Sequence, residues 1–292
     1  MKILLLGKNG QLGWELQRTL APLGSVYALD FEELNLEDFD VVRRTIRELH
    51  PQMIINASAY TAVDRAESEP EKAYAINGKI PGILAEEALV LNAALIHYST
   101  DYVFDGTKGA TYTEEDTPNP LSVYGKSKLM GEQAIKSVGG ACLVLRTSWV
   151  YSLRRDSFVT KVLSWARQQA TLRIVDDQIG NPTWARMLAE ATSLVCASAS
   201  KDVHGWLTER QGVYHLAGNG FASRLDWARL ILELDPNRKD QVVKEILPSP
   251  TSDYPTPAQR PLFSALNCSR FLSTFHIGLP EWETALHFAM VV

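Results

Sequence analysis

The sequence predicts an α/β fold: a doubly wound parallel sheet followed by a smaller C-terminal α/β region. Three observations predict it. Short continuous apolar runs recur through the first half, as strands buried on both faces require. A stretch with helical periodicity follows each run after a short connection, the rhythm of βαβ units. A glycine-rich loop separates the first run from the first helical stretch.

Ile3-Leu4-Leu5-Leu6 is the first run, closed by Gly7. Gln11 to Leu20 carries apolar residues at 12, 16 and 20, one helical stripe. Val26 to Leu29 is a second strand, closed by Asp30. Phe39 to Leu49 reads as helix from its apolar positions 39, 42, 46 and 49. Met53-Ile54-Ile55 is a third strand, Ile76 to Leu91 a long helical stretch, and Ala94-Leu95-Ile96 opens a fourth strand. Leu121 to Val138 reads as helix and Cys142 to Leu145 as a fifth strand.

Beyond Trp149 the rhythm weakens. Phe158 to Ala170 and Trp184 to Ala197 read as helical, and Val213 to Leu216 as a strand. Ser223 is placed to cap a helix, with Asp226 three residues on, running through Leu234. Pro280 stands at a first helical position. Residues 248–261 hold five of the fourteen prolines, which excludes a helix or a central strand there. The chain divides into residues 1–150, a dinucleotide-binding domain, and 151–292, mainly a substrate-binding region. The segment 185–215 is a candidate to return to the first domain.

The 292 residues are 46% apolar and 22% charged, an ordinary globular composition with length for a substantial core. The 29 Lys and Arg against 34 Asp and Glu give a net charge of −5. That excludes a general nucleic-acid coat, which needs clustered cations, but leaves room for one local basic pocket. No apolar run reaches the ~18–20 residues of a membrane span. The N-terminus offers only a few apolar residues before a glycine, short of the ~7–15 of a secretory h-region, so a cytoplasmic protein is expected. Cys142, Cys196 and Cys268 are odd in number and dispersed, which fits free thiols in a reducing compartment. Without a secretory signal, the sequons Asn56-Ala57-Ser58 and Asn267-Cys268-Ser269 read as chance.

Two candidate sites carry chemistry. The first is Gly7-Lys8-Asn9-Gly10-Gln11-Leu12-Gly13, between a strand and a helix. Gly7 permits a tight turn, Gly10 a close approach to a pyrophosphate, and Gly13 close helix–strand packing. The helix N-terminus directs partial positive charge at the phosphates. Asp30, ending the second strand, is placed to accept hydrogen bonds from the adenosine ribose, which favours NADH. Lys8 partly offsets the repulsion of a 2′-phosphate, so NADH and NADPH both stay open.

The second site is Tyr124-Gly125-Lys126-Ser127-Lys128. Tyrosine and lysine four residues apart share a helix face. A phenol with a pKa of about 10 is a weak acid at neutral pH, and a nearby ammonium favours its phenolate. Thr100, just after the fourth strand, stands where such sheets place ligand groups and is the expected hydrogen-bond donor to a reacting carbonyl.

The sequence resembles the extended short-chain dehydrogenase/reductases that act on nucleotide sugars, and within them a branch that reduces dTDP-4-keto-6-deoxy sugars. The matching stretches are GKNGQLGWEL at 7–16, NASAYTAVDRAESEP at 56–70, HYSTDYVFDG at 97–106, NPLSVYGKSKLMGE at 119–132, LRTSWVY at 145–151, DDQIGNPTW at 176–184 and YPTPAQRP at 254–261. The resemblance implies a Rossmann-type fold. It also implies hydride transfer from NADPH or NADH to C4 of the keto sugar, with Tyr124 as proton donor. It places Asn9, Gly10, Gln11 and Leu12 at the cofactor phosphates, and Asp30, Asn35 and Leu36 around the adenosine. Ala59, Tyr60, Thr61 and Tyr98 line the cofactor. Tyr124 and Lys128 serve both nicotinamide ribose and chemistry. Thr100, Asp101 and Trp149 meet the sugar, and Arg260 its diphosphate. The related dehydratases carry an acidic residue where this chain has Tyr102, so reduction is expected rather than dehydration. Some members dimerise around a magnesium ion held by surface glutamates. Glu15 matches one such position, but Arg186, a cation, stands at another. No metal is assigned, and homodimer and monomer both stay open. The alternatives are another 4-keto-sugar reductase, a 4-epimerase, or a non-catalytic nucleotide-binding regulatory subunit.

Overall fold

The structure is a computed structural model that describes residues 1–291. Five short, largely apolar runs form strands β1 (Lys2–Leu6), β2 (Ser25–Leu29), β3 (Met53–Asn56), β4 (Ala94–Thr100) and β5 (Cys142–Thr147). A sixth, β6 (Gly212–His215), joins them from far along the chain. The six pair in parallel in the order β2-β1-β3-β4-β5-β6. The order changes direction between β1 and β3, and ligands bind outside the carboxyl ends of strands at such a point.

Alternate residues of each strand feed two cores. Leu4, Leu6, Ile54, Leu95 and Val144 face helices α2 (Phe39–Leu49), α3 (Ile80–Val90) and α4 (Val123–Val138). Ile3, Leu5, Ile55, Ile96 and Leu143 face α1 (Gln11–Leu20) and α5 (Ala185–Ser198). The stripe Leu12, Leu16 and Leu20 is buried, as its spacing requires. Helix α5 and strand β6 therefore belong to the same layers as residues 1–150, and so do Phe271 and Phe275 of the helix Ser269–Phe275.

The other lobe has its own core, built from the helices Phe158–Ala166, Arg224–Glu233 and Trp282–Met290. Thr171–Val175 pairs in parallel with Glu245–Ser249. Pro248 lies within this two-stranded ribbon, where both strands are edges and a missing N–H is tolerated. Ser223 caps the helix it precedes, its hydroxyl accepting from the Asp226 amide. Pro280 corrects an expectation: that helix starts at Trp282 with Glu281 as its cap, so Pro280 lies outside. The stretch Ile76–Leu91 is also not one regular helix. Tyr74–Lys79 is a π-turn that runs into α3, a distortion frequent at functional sites.

A buried ion pair fastens α4 to the sheet. Glu132 accepts two hydrogen bonds from the Arg146 guanidinium of β5, at 2.9 and 2.6 Å, and one from the Ser99 hydroxyl of β4. Removing one partner of a buried pair leaves an uncompensated charge, at a cost of ~3–5 kcal/mol. Glu132→Ala is therefore expected to lower the urea unfolding midpoint by a corresponding amount, read in equilibrium denaturation.

Candidate active site

The glycine loop has the geometry a dinucleotide needs. Gly7 has φ +85°, and a Cβ there would lie 2.8 Å from the backbone of Ala57 and Ser58. A Cβ on Gly13 would lie 1.9 Å from the Gly7 carbonyl, so only glycine lets α1 start this close to β1. Gly10 stands before α1 with no side chain capping the helix, which leaves its first amides for an anion. Gln11 Oε1 is buried beside them without a hydrogen-bond partner among the described residues. Leu12 points into the core. Asp30 accepts from the amides of Asn9 and Phe31, each at 2.8 Å. Lys8 pairs with Glu33, and that contact holds the Glu33 carboxyl below its usual range. A cavity of about 130 Å³ lies outside β1 and β2, lined by Gly7, Asp30, Phe31, Asn35, Leu36 and Ala59.

Next to it, Asn77 from the π-turn braces the loop after β3. Its side chain accepts from the Tyr60 amide at 2.8 Å and donates to the Tyr60 carbonyl and to Ser127 of α4, each at 3.1 Å. The Tyr60 phenol is turned to Glu69. Tyr98 behaves differently from the other residues expected at the cofactor. Its ring is buried between β4 and α5, with its hydroxyl 2.6 Å from Thr192. Tyr98 offers the site its carbonyl rather than its ring.

A cleft of about 620 Å³ opens between the lobes, lined by Thr61, Thr100, Asp101, Tyr102, Tyr124, Trp149, Arg224 and Arg260 among others. Thr100 and Tyr124 meet there. Burial pushes the Tyr124 phenol above its usual range, and the neighbouring Thr100 hydroxyl opposes that shift. The phenol therefore keeps its proton at neutral pH. Lys128 is fully buried, and its Nζ donates to the Tyr98 carbonyl at 2.5 Å. The Thr100 hydroxyl, expected to donate to a substrate carbonyl, donates to Asp101 at 3.1 Å and accepts from the Tyr102 amide.

Asp101 is buried, and among the described residues no cation is bonded to it. Burial raises its carboxyl, while hydroxyls of Ser264 at 2.5 Å, Ser148 at 3.1 Å and Thr100 hold that rise back. Tyr102 packs edge-on against Tyr124, ring centroids 5.8 Å apart. Trp149 sits in a left-handed conformation with φ +43°, a strained state that tertiary packing must impose. Its indole stacks on the Trp227 ring, and the Arg224 guanidinium lies over both, centred 3.5 Å from Trp149 and 5.5 Å from Trp227.

Arg224 was not legible as a site residue. Among the described residues its guanidinium makes no hydrogen bond or ion pair, and burial pulls its pKa down to about 10. An unpaired cation stacked on an aromatic wall is poised for an anion. Arg260 lines the same cleft but is already engaged, donating to Asp64 at 2.7 Å and to the Ala258 carbonyl at 3.2 Å. Elsewhere, Arg186 pairs with Glu190 at 3.0 Å, and both line one cavity with Glu15.

Comparison with known proteins places this geometry. The model of the RmlD substrate binding domain family matches residues 1–291. The chain is 43% identical over 290 residues to the dTDP-4-dehydrorhamnose reductase of Salmonella typhimurium, covering 97% of this chain and 95% of that one. It is 41% identical to the protein of the same name from Burkholderia thailandensis, covering 98% and 97%. Among solved structures, a dTDP-4-dehydrorhamnose reductase from Clostridium acetobutylicum superimposes with a TM-score of 0.89 at 33% identity, covering 100% and 99%. One from Bacillus anthracis, solved in complex with NADP, gives 0.87 at 30% identity, covering 100% and 99%. A UDP-glucose 4-epimerase from Thermus thermophilus shares the fold at 19% identity and a TM-score of 0.79. The chain belongs to the RmlD substrate binding domain family, the family of the dTDP-4-dehydrorhamnose reductases.

Proposed function

We propose that this protein is an oxidoreductase that reduces the C4 keto group of dTDP-4-dehydro-β-L-rhamnose to give dTDP-β-L-rhamnose, with NADPH or NADH as reductant. The observation that carries this reading is the meeting of a protonated Tyr124, Thr100 and an unpaired Arg224 in one cleft beside an uncapped helix N-terminus. The family relatives named above support the substrate, and the NADP complex of one of them supports the cofactor class.

The residues fit a nicotinamide dinucleotide. Gly7, Gly10 and the first amides of α1 receive the pyrophosphate, Asp30 faces the adenosine ribose, and Asn35, Leu36 and Ala59 line its pocket. The bound nicotinamide supplies a hydride to C4. Tyr124 then does what its environment prepares: as hydride adds to C4, the carbonyl π pair moves onto O4, and O4 takes the proton from Tyr124 Oη. The low-dielectric site keeps that proton on the phenol until the alkoxide, a stronger base, appears. Thr100 stands beside the phenol, and Asp101 and the Tyr102 amide orient Thr100. Arg224 and Arg260 serve the diphosphate, Arg224 as the free cation and Arg260 on exchanging Asp64 for phosphate oxygens. Tyr102 stands where an elimination reaction would need a second carboxylate.

Tyr124→Phe is expected to leave NADPH affinity within about twofold while kcat falls by at least a hundredfold, the span of general acid catalysis. Cofactor titration and steady-state reduction of dTDP-4-dehydrorhamnose check this, and near-normal turnover would remove Tyr124 from the reaction. Arg224→Ala is expected to raise KM for the nucleotide sugar at least tenfold, ~1.4 kcal/mol, with little change in cofactor affinity. An unchanged KM would deny Arg224 the diphosphate.

A further inference from the structure

Asp101 is served from three distant parts of the chain. Its Oδ1 accepts from Thr100, at the end of β4, at 3.1 Å. Its Oδ2 accepts from Ser148, just after β5, at 3.1 Å and from Ser264, beyond the proline-rich segment, at 2.5 Å. All four residues are buried. A carboxylate can only accept, so each hydroxyl spends its single hydrogen on it. That fixes the Thr100 rotor, because the Thr100 oxygen also accepts from the Tyr102 amide at 3.2 Å.

Ser264 makes the shortest of these contacts, and a hydroxyl on a charged oxygen at this range is among the stronger hydrogen bonds. Its backbone is stitched down on both sides. The Ser264 amide donates to the Ile179 carbonyl at 2.9 Å, and the Ile179 amide donates to the Leu262 carbonyl at 2.7 Å. The Leu266 amide donates to Asn181 Oδ1 at 2.7 Å, while the Asn181 amide donates to the Ser148 oxygen at 3.3 Å. Ser148 and Ser264 therefore approach Asp101 as parts of one braced unit, with Arg260 of the cleft wall four residues before Ser264.

We propose that Ser264 is a positioning residue for the reduction: its hydroxyl holds the Asp101 carboxylate in the orientation that sets the Thr100 hydroxyl beside the Tyr124 phenol. This deepens the reductase reading and rests on it. Burial pushes the Asp101 carboxyl up, and the Ser264 hydroxyl leads the groups that oppose the rise. The ionisable groups facing that carboxyl are Tyr102 beside it, Tyr124 on α4, and Arg224 on the helix Arg224–Glu233, whose charge also favours the carboxylate. Loss of the Ser264 hydroxyl removes a bond made to the charged form, so the carboxyl takes up its proton at higher pH. A protonated Asp101 brings a donor of its own, and Thr100 is no longer confined to one orientation. The carboxylate is thus the working form, and activity falls on its acid side.

Two readouts test this. Without substrate, the full chain labelled with carbon-13 at aspartate Cγ is titrated, and the Asp101 signal is identified by its loss in Asp101→Asn. Ser264→Ala is expected to raise the Asp101 midpoint by about one pH unit, and an unmoved midpoint overturns the proposal. With dTDP-4-dehydrorhamnose, kcat of Ser264→Ala is expected to fall about tenfold at unchanged NADPH affinity, its acid limb moving up with the midpoint. Placed on Asp101→Asn, Ser264→Ala is expected to cost nothing further, since it acts through Asp101; equal losses in both backgrounds overturn the proposal. Should Ser264→Ala fail to fold, Ser264→Cys, similar in size but a weak donor, is expected to move the midpoint and the limb in the same direction, and unmoved values contradict it. Absence of turnover in the unsubstituted chain refutes the reductase reading, whereas turnover with an unmoved Asp101 midpoint refutes this proposal alone.

Discussion

The site depends on α4 being held hard against β4 and β5. That helix carries Tyr124 and Lys128, and its apolar face alone would leave it free to slide. Glu132 removes that freedom, because one buried carboxylate takes Ser99 from β4 and the Arg146 guanidinium from β5. A buried pair adds little net stability but tolerates only one arrangement of its partners. Asn77 braces the other side, joining the loop after β3 to Ser127. Helix, strand end and cofactor loop are thus locked to one another before any ligand arrives, as a near-attack geometry requires.

Within that frame the ionisable groups are separated by environment. Tyr124 and Asp101 are pushed toward their neutral forms by burial, and Lys128 toward its own. Arg224 keeps a cation at the outer wall against Trp149. The cleft thus presents the buried phenol of Tyr124, the buried carboxyl of Asp101 and the Arg224 guanidinium beside Trp149. The lobes meet across this boundary through Asp64 and Arg260, one on the turn Val63–Ala66 and the other on the proline-rich segment.

Much of the first lobe was legible because its strands are short apolar runs and its helices have clean stripes. The loop Gly7–Gly13 announced itself because only glycine fits those contacts. The second lobe was harder. Thr171–Val175 and Glu245–Ser249 are five-residue edges, one containing proline, and their pairing spans about seventy residues, which no local pattern encodes. The return of α5 and β6 to the main sheet has the same character. Arg224 looked like any helical arginine, since its significance lies in what does not pair with it and in the indole beneath it. Lys128 was readable as a partner of Tyr124, but its burial against the Tyr98 carbonyl arises only from strand and helix brought together. Spacing can name the members of such a network but not their protonation.

The most direct test of the central claim is isotopic. The protein would be supplied with dTDP-4-dehydrorhamnose and nicotinamide cofactor deuterated at its transferable position. The product is expected to be dTDP-rhamnose with one deuterium at C4, formed in step with cofactor oxidation. A product with no deuterium at C4, or a sugar converted without cofactor consumption, would contradict it.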